Sequence, residues 1–413
     1  MTIQELSAAG RHQDCLQACQ NALQVHPEEI YAYKYAGKSL LALGQFEKAQ
    51  QCLVKAHQLD SSDPEIVKDI GNIFLNLGNK DAALEWYKKA LEINNNYAPA
   101  INNLGSLKRQ LGNHKEAVDL FRQAIQADPK LIQAYMGAAA SFLALGNLDQ
   151  AESFANQALA INVSTPGVNE ICGIVFQNKS KPDQAIECYQ KELEVNPQAS
   201  NSLLNLGLCL LNTGKNIDAI EAFQIAIQLD ESSIPAWGNL GISLKKEGRL
   251  KEAINPTQKA LDLDPDNPTA HMNLGGIYKE LGQLDQALAA TLKSLELKPD
   301  NPTAHMNLGG IYKDLGQLDQ ALTSTLKSLE LKPDNSDALI NLGGIYKDLG
   351  QLDQALTATL KSLELKPDNP DAHMNLGGIL LRRGKHNEGL KEELAGGGAI
   401  IFDLKKGLSV KGS

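Results

Sequence analysis

A glycine recurs every 34 residues along almost the whole chain, and this period limits the possible folds more than any other feature. The recurring residues are Gly37, Gly71, Gly105, Gly173, Gly207, Gly241, Gly275, Gly309, Gly343 and Gly377. Ala139 takes the position in the one register that lacks glycine, and no insertion interrupts the spacing. A fixed period of this kind indicates a solenoid, in which each repeat buries its apolar face only against its neighbours.

Each repeat is predicted to contain two helices. In residues 302–335, PTAHMNLGGIYKDLGQLDQALTSTLKSLELKPDN, the apolar residues follow helical spacing in two stretches. Gly316 is expected to end the first helix because glycine tolerates the left-handed conformation, and Pro333 follows the second. Asn301 is a candidate N-cap, with Pro302 at the first helical position, where a missing N–H costs nothing.

The composition is ordinary for a soluble folded protein and argues against some kinds of partner. Among 413 residues the formal net charge is −10, which argues against nucleic-acid binding and against docking on anionic membranes. We find no apolar run long enough to span a membrane and no secretory signal in the N-terminal sequence. The six cysteines form no CxxC pair, so we interpret them as reduced thiols of a cytoplasmic protein.

The repeat resembles the tetratricopeptide repeat (TPR). Residues 307–333, NLGGIYKDLGQLDQALTSTLKSLELKP, show the motif Asn-Leu-Gly-x-x-Tyr followed by the glycine, alanine and proline that the family places downstream. The resemblance implies an all-α fold, a right-handed α-solenoid superhelix of antiparallel helix pairs whose first helices line a concave groove. It also implies binding of peptides or proteins, without intrinsic catalysis.

The period divides the chain into ten complete repeats between a partial and a degenerate one. Residues 1–29 are predicted to form a partial N-terminal repeat, and residues 370–395 a degenerate last one. The tail, 396–413, is expected to be β-like or disordered, and it is either a cap or the stump of a lost domain. The complete repeats are 30–63, 64–97, 98–131, 132–165, 166–199, 200–233, 234–267, 268–301, 302–335 and 336–369.

Several residues depart from the family pattern. Position 24 of the repeat, usually aromatic, is threonine in four C-terminal repeats, including Thr257 and Thr325. In repeat 166–199, Ser180 replaces the turn glycine and Glu192 replaces a small residue, which predicts a weak point. Pro256 lies inside a second helix and is expected to kink or shorten that helix.

Asparagine recurs two residues before the first glycine in seven repeats. An asparagine side chain both donates and accepts hydrogen bonds, so such a ladder can bind an extended peptide backbone. A similar ladder lines the superhelix of O-linked N-acetylglucosamine transferases. The alternative is that the asparagines belong to the repeat consensus and form hydrogen bonds between repeats. The candidate peptide-binding residues are Asn103, Asn205, Asn239, Asn273, Asn307, Asn341 and Asn375.

A second ladder consists of the lysines at the end of four first helices, Lys245, Lys279, Lys313 and Lys347. These lysines are candidates for binding carboxylates of a ligand. Alternatively they form a solvated face with the neighbouring acidic residues. Glycines such as Gly310 lie beside them, and we expect these to allow close approach despite their cost to the helix.

We predict no catalytic residue, metal site or cofactor. His271, His305 and His373 share one repeated position, a whole repeat apart, and are expected to be packing residues. Asp262, Asp264 and Asp266 lack the glycine and glutamate of a calcium-binding loop. The sequence contains no phosphate-binding loop, nucleophile elbow or zinc-protease motif.

Three functional hypotheses remain open from the sequence. The first is a scaffold that binds extended segments of a protein partner in the groove. The second is the substrate-targeting arm of a transferase, such as a glycosyltransferase, whose catalytic domain is separate or lost. The third is self-assembly of the chain into a homo-oligomer through its solenoid ends.

Overall fold

The structure, a computed structural model, describes residues 1–397, 399–403 and 407–411. Helices account for most of this part of the chain, and two strands follow them. The helices are α1 (Ile3–Ala8), α2 (His12–Val25), α3 (Ile30–Ala42), α4 (Phe46–Leu59), α5 (Pro64–Asn76), α6 (Lys80–Ile93), α7 (Ala98–Gln110), α8 (His114–Ala127), α9 (Ile132–Ala144), α10 (Leu148–Ile161), α11 (Val168–Asn178), α12 (Pro182–Val195), α13 (Ser200–Asn212), α14 (Asn216–Leu229), α15 (Ile234–Lys246), α16 (Leu250–Leu263), α17 (Pro268–Glu280), α18 (Leu284–Leu297), α19 (Pro302–Asp314), α20 (Leu318–Leu331), α21 (Ser336–Asp348), α22 (Leu352–Leu365), α23 (Pro370–Arg382) and α24 (His386–Ala395). The strands β1 (Ala399–Asp403) and β2 (Gly407–Lys411) pair antiparallel, with Ala399 opposite Lys411.

Consecutive helices pack as pairs, as α17 does with α18 and α19 with α20, and the second helix of such a pair also contacts the next first helix, as α18 does with α19. First helices such as α19 have 13 residues and second helices such as α20 have 14. This arrangement confirms the predicted all-α class built from helix pairs. The chain divides into two compact halves, Met1–Cys209 and Leu210–Ser413.

The core of each repeat lies where its first helix meets its second helix. In the N-terminal half, the rings of Tyr87, Phe121 and Tyr189 are fully buried at repeat position 24. In the C-terminal half, Phe223 is fully buried at this position, and so are the four threonines that follow it, including Thr325. The first glycine of the repeat makes this packing possible, because a Cβ built at Gly309 would lie only 2.2 Å from Thr325 Oγ1.

The predicted turn and cap residues have the expected conformations. Gly316 follows α19 with φ of 74°, in the left-handed region. The Asn301 side chain accepts hydrogen bonds from the backbone N–H groups of Thr303 and Ala304, at 3.1 and 3.2 Å. Pro302 occupies the first helical position. Local sequence therefore sets where this helix begins and where it ends.

In repeat 166–199, the first helix is capped by a side chain of the second helix and not by the residue before it. α11 begins late, at Val168, and has 11 residues. The buried Glu192 side chain accepts hydrogen bonds from the backbone N–H groups of Gly167, at 2.6 Å, and Glu170, at 3.3 Å. A carboxylate at this place complements the positive end of the helix dipole. The departure from a small residue at position 192 therefore supplies the missing cap of α11.

Ser180 adopts the conformation that glycine has in the other repeats. Its φ is 56°, and it is the one non-glycine residue with positive φ within the described chain. Because this conformation costs a residue with a Cβ atom roughly 1–2 kcal/mol, we expect Ser180→Gly to raise the free energy of unfolding by about 1 kcal/mol. Urea unfolding of the two proteins measures this difference. An unchanged or lower midpoint for the glycine variant would contradict it.

Pro256 does not shorten its helix, so that half of the expectation is wrong, and the expected kink stays a prediction. α16 keeps the 14 residues typical of a second helix, although the proline lies inside it. Thr257 and Ala260, which follow the proline, are fully buried. Helices in proteins are stabilised mainly by packing of their apolar face, and this packing continues the helix beyond the missing N–H.

No helix among the described residues combines the length and apolar character that a membrane span requires.

Candidate functional site

Four of the seven ladder asparagines have side-chain amides without a hydrogen-bond partner in the described part of the protein. All four residues are half-buried. They are Asn205, Asn273, Asn307 and Asn341. The last three lie at equivalent positions on the consecutive first helices α17, α19 and α21. This gives three identical open donor–acceptor groups in one half of the chain.

The other three asparagines bond within the protein. Asn103 Nδ2 donates to Asn72 Oδ1 at 2.8 Å, and Asn239 Nδ2 donates to the Pro235 carbonyl of its own helix at 2.9 Å. Asn375 is buried, and its Nδ2 donates to the Ile340 carbonyl at 3.1 Å. The seven residues share a sequence position, but the structure places them in different environments.

Each rung of the ladder combines residues from three consecutive repeats. A Cβ built at Gly310 would lie 2.6 Å from Lys279 Nζ and 3.8 Å from Asn341 Nδ2. The same arrangement occurs one repeat earlier. A Cβ built at Gly276 would lie 3.0 Å from Nζ of Lys245 in the preceding repeat and 4.0 Å from Nδ2 of Asn307 in the following one. The glycine thus makes room for a lysine from the repeat before and an amide from the repeat after.

We call this surface the ladder face. Its residues recur at the same spacing and lie within the C-terminal half. They are Lys245, Lys279, Lys313, Gly276, Gly310, Gly344, Asn273, Asn307 and Asn341.

The ladder lysines form ion pairs with acidic residues of the following repeat. Lys245 Nζ lies 2.9 Å from Glu280 Oε1, and Lys279 Nζ lies 3.6 Å from Asp314 Oδ2. Lys313 pairs with Asp348 at 3.8 Å. These side chains are about one third to one half exposed. Because exposed ion pairs contribute only about 0–1 kcal/mol, a ligand carboxylate can displace the protein's own at little cost.

Lys347 ends the lysine ladder without such a partner. The residue equivalent to Asp348 in the next repeat is Arg382, whose Nη1 donates to the Lys347 carbonyl at 2.5 Å. Burial lowers the pKa of Lys347, and the positive charges of Lys313 and Arg382 lower it further. No ion pair holds this ammonium group within the described residues. Lys347 at the C-terminal end of the ladder therefore differs from the three preceding lysines, each of which pairs with an acidic side chain.

The N-terminal half has a different surface at the asparagine position. Asp69 replaces asparagine there, and its buried carboxylate contacts Lys68 Nζ at 2.6 Å. Nearby, Lys38 Nζ lies 2.6 Å from Glu65 Oε1. Burial of Glu65 favours its neutral form, but hydrogen bonds from Lys34 and Lys38 outweigh this and lower its pKa to about 2. These charged groups bind one another and leave little free for a ligand.

A depression of 350 Å³ lies farther along the first helices of the N-terminal half, where the ladder is interrupted. Gly137 and Ile171 occupy the asparagine position here, and both line the depression with Met136. Arg109 and Glu170 add opposite charges to its wall. Burial raises the pKa of Glu170. We missed this feature in the sequence, although the loss of asparagine at two successive repeats is visible there.

No group of three or more His, Cys, Asp or Glu side chains is placed to hold a metal ion in the part of the chain that the structure describes.

Family models match nearly the whole length of the repeats. A model described as TPR repeat matches residues 241–282, 275–314 and 343–384. Models described as tetratricopeptide repeat match residues 35–98 and 173–234, 67–130, 108–169, 302–335 and 325–357. No curated protein sequence matches the chain.

Several solved structures are similar to this chain. "Crystal structure of APC/C hetero-tetramer Cut9-Hcn1" is 15% identical with a TM-score of 0.54, covering 95% of this chain and 92% of that chain. "YrrB: a TPR protein with an unusual peptide-binding site" is 23% identical with a TM-score of 0.39, covering 45% and 96%. "Crystal structure of MamA" is 30% identical with a TM-score of 0.36, covering 39% and 94%.

The first of these likenesses supports the fold, and the family models together cover most of residues 35–384. The chain belongs to the tetratricopeptide repeat family.

Proposed function

We propose that this protein is an interaction scaffold that binds an extended segment of a protein partner along the ladder face. The observation that carries the proposal is the set of open amides on Asn273, Asn307 and Asn341. Each amide can donate to a peptide carbonyl and accept from a peptide N–H at the same time. Because main-chain groups are the same in every peptide, such contacts bind a backbone without reading its sequence.

The glycines of the ladder face support this proposal. A Cβ built at Gly310 would lie 2.6 Å from Lys279 Nζ and 3.8 Å from Asn341 Nδ2, so the glycine lets the lysine lie beside the amide. The lysines add positive charge, and their partly exposed ion pairs with acidic neighbours are weak. A peptide with occasional carboxylates therefore fits the surface better than a basic one.

Membership of the TPR family supports a protein-binding role in general and gives no reason to expect catalysis. The transferase arm and the self-assembling chain stay predictions. Purification with a catalytic partner would favour the former, and light scattering that grows with concentration would favour the latter.

The test is the triple variant Asn273→Ala/Asn307→Ala/Asn341→Ala. The probe is a labelled peptide of 12 residues, selected for binding to the intact chain from a random displayed library. Loss of three hydrogen bonds of about 1 kcal/mol each predicts a Kd about 100-fold weaker. Circular dichroism confirms that the variant remains helical.

A matched control is available in the same repeats. Gln283, Gln317 and Gln351 are also amides at a spacing of 34 residues, but they are exposed and make no cap hydrogen bond. Their triple alanine variant is expected to bind the peptide like the original protein. If the asparagine variant also binds unchanged, the ladder face is not the binding site.

A further inference from the structure

A second surface feature lies in the C-terminal half, and it shares no residue with the ladder face. It is an apolar depression of 460 Å³ between the end of α20 and the helices α21 and α22. Its floor consists mainly of Leu339, Leu342, Tyr346 and Ala358. Leu339 and Leu342 are almost completely buried, so the depression reaches the core of the repeat.

The sequence of this repeat differs from its predecessor where it lines the depression. Repeats 302–335 and 336–369 differ at five positions, and two of these are lining residues. Leu339 replaces His305, and Ala358 replaces Ser324. Both exchanges replace a polar side chain by an apolar one. Two of the five exchanges thus lie at the depression, and both make it more apolar.

The histidine that Leu339 replaces has a defined partner. His305 Nε2 donates to the Pro299 carbonyl at 2.9 Å, and His271 and His373 make the same bond to their prolines at 2.9 and 2.8 Å. Leucine cannot make this bond. Pro333, the equivalent of Pro299, instead lines the depression.

One positive charge at the rim of the depression is also free. Lys293 and Lys327 pair with glutamates three residues later, at 3.1 and 3.0 Å. Lys361, the equivalent residue here, has no ion pair among the described residues and lines the depression. Asp353, the other charged lining residue, is already paired with Arg383 at 3.0 Å. The net character of the site is therefore apolar with one unpaired cation.

We propose that this depression binds an apolar side chain of a protein partner, with a carboxylate of an adjacent partner residue on Lys361. The rim favours a protein over an enclosed small molecule, because Pro333, Gln354, Thr357 and Lys361 are all exposed. The apolar floor supplies affinity through burial, and the free ammonium selects an acidic neighbour. This site works independently of the ladder face.

The test uses the double variant Leu339→His/Ala358→Ser, which restores the residues of the preceding repeat. It is expected to fold, because that repeat forms helices of the same length from these residues. A displayed library of random 12-residue peptides is selected on the original protein with excess double variant as competitor. We expect selected peptides to contain an apolar residue next to Asp or Glu.

The selected peptide is then synthesised with a fluorescent label, and its Kd is measured for four proteins. Burial of one apolar side chain predicts binding at least about tenfold weaker to the double variant. Lys361→Glu should weaken binding and reverse the preference toward peptides with a basic neighbour. The triple asparagine variant should bind this peptide like the original protein.

Three results would overturn the proposal. The selection yields no apolar–acidic peptides under competition, or the selected peptides bind the double variant equally well. The third is that octanoate, a free apolar carboxylate, shifts the NMR signals of the depression while no peptide is selected, which would identify a small-molecule site.

Discussion

Replacing Gly137 with alanine is expected to lower the free energy of unfolding by about 2 kcal/mol, although alanine is the better helix former. A Cβ built at this position would lie 2.4 Å from Cζ of Phe121. The ring is fully buried, and a Cβ built at Gly105 would also lie close to it, 3.0 Å from its Cε1 atom. Because a fully buried ring cannot move aside as an exposed side chain can, the helices must move apart.

Gly310→Ala is the matched control, and the opposite sign is expected. Its Cβ would lie a similar 2.6 Å from a neighbour, but that neighbour is Nζ of Lys279. The lysine side chain is about one third exposed and can move aside. The helix then gains about 1 kcal/mol from the loss of glycine. Urea unfolding measures the free energy of unfolding of both variants. If Gly137→Ala and Gly310→Ala change it in the same direction, the freedom of the neighbouring side chain to move does not decide the effect.

Glu192→Ala is expected to lower the free energy of unfolding by about 2–3 kcal/mol and to release the start of α11. The carboxylate is 1% exposed and accepts from Gly167 N–H and Glu170 N–H. Its removal leaves these N–H groups without their partner and a cavity beside them. Hydrogen exchange measures the effect locally, as faster exchange of the amides at residues 167–171.

Two controls separate the cap from a general effect of substitution. Glu192→Gln keeps one oxygen that can accept a hydrogen bond, so it should lose less stability than the alanine variant. Glu194→Ala removes an exposed glutamate from the same helix and should change little. Equal losses for Glu192→Ala and Glu192→Gln would show that the oxygen acceptor is not what stabilises α11.

The repeating part of the fold could be predicted from the sequence because its signals are local. Asn301, Pro302 and Gly316 determine the ends of α19 through bonds within a few residues. The same cap and turn residues recur at the same repeat positions, so the helix ends predicted for one repeat apply to most of the others. Pro256 shows the limit of this reasoning, since packing of the residues beyond it overrides a local helix breaker.

The candidate site was only partly predictable, because its properties depend on contacts between repeats. The spacing placed Asn307 and Asn375 in one ladder, but only the structure shows that the amide of Asn375 is already bonded. Lys279, Gly310 and Asn341 lie close together although they belong to three different repeats. The sequence of a single repeat does not reveal this proximity. The bond from Gly167 to Glu192 crosses 25 residues and could not be inferred from a substitution alone.

The central claim is that the open amides of the ladder face bind the peptide backbone directly. NMR spectra of the side-chain amides, assigned by single substitutions, can be recorded with and without the selected 12-residue peptide. We predict that the signals of Asn273, Asn307 and Asn341 shift on binding, whereas those of Gln283, Gln317 and Gln351 do not. Saturating peptide that leaves the three asparagine signals unchanged would contradict the account.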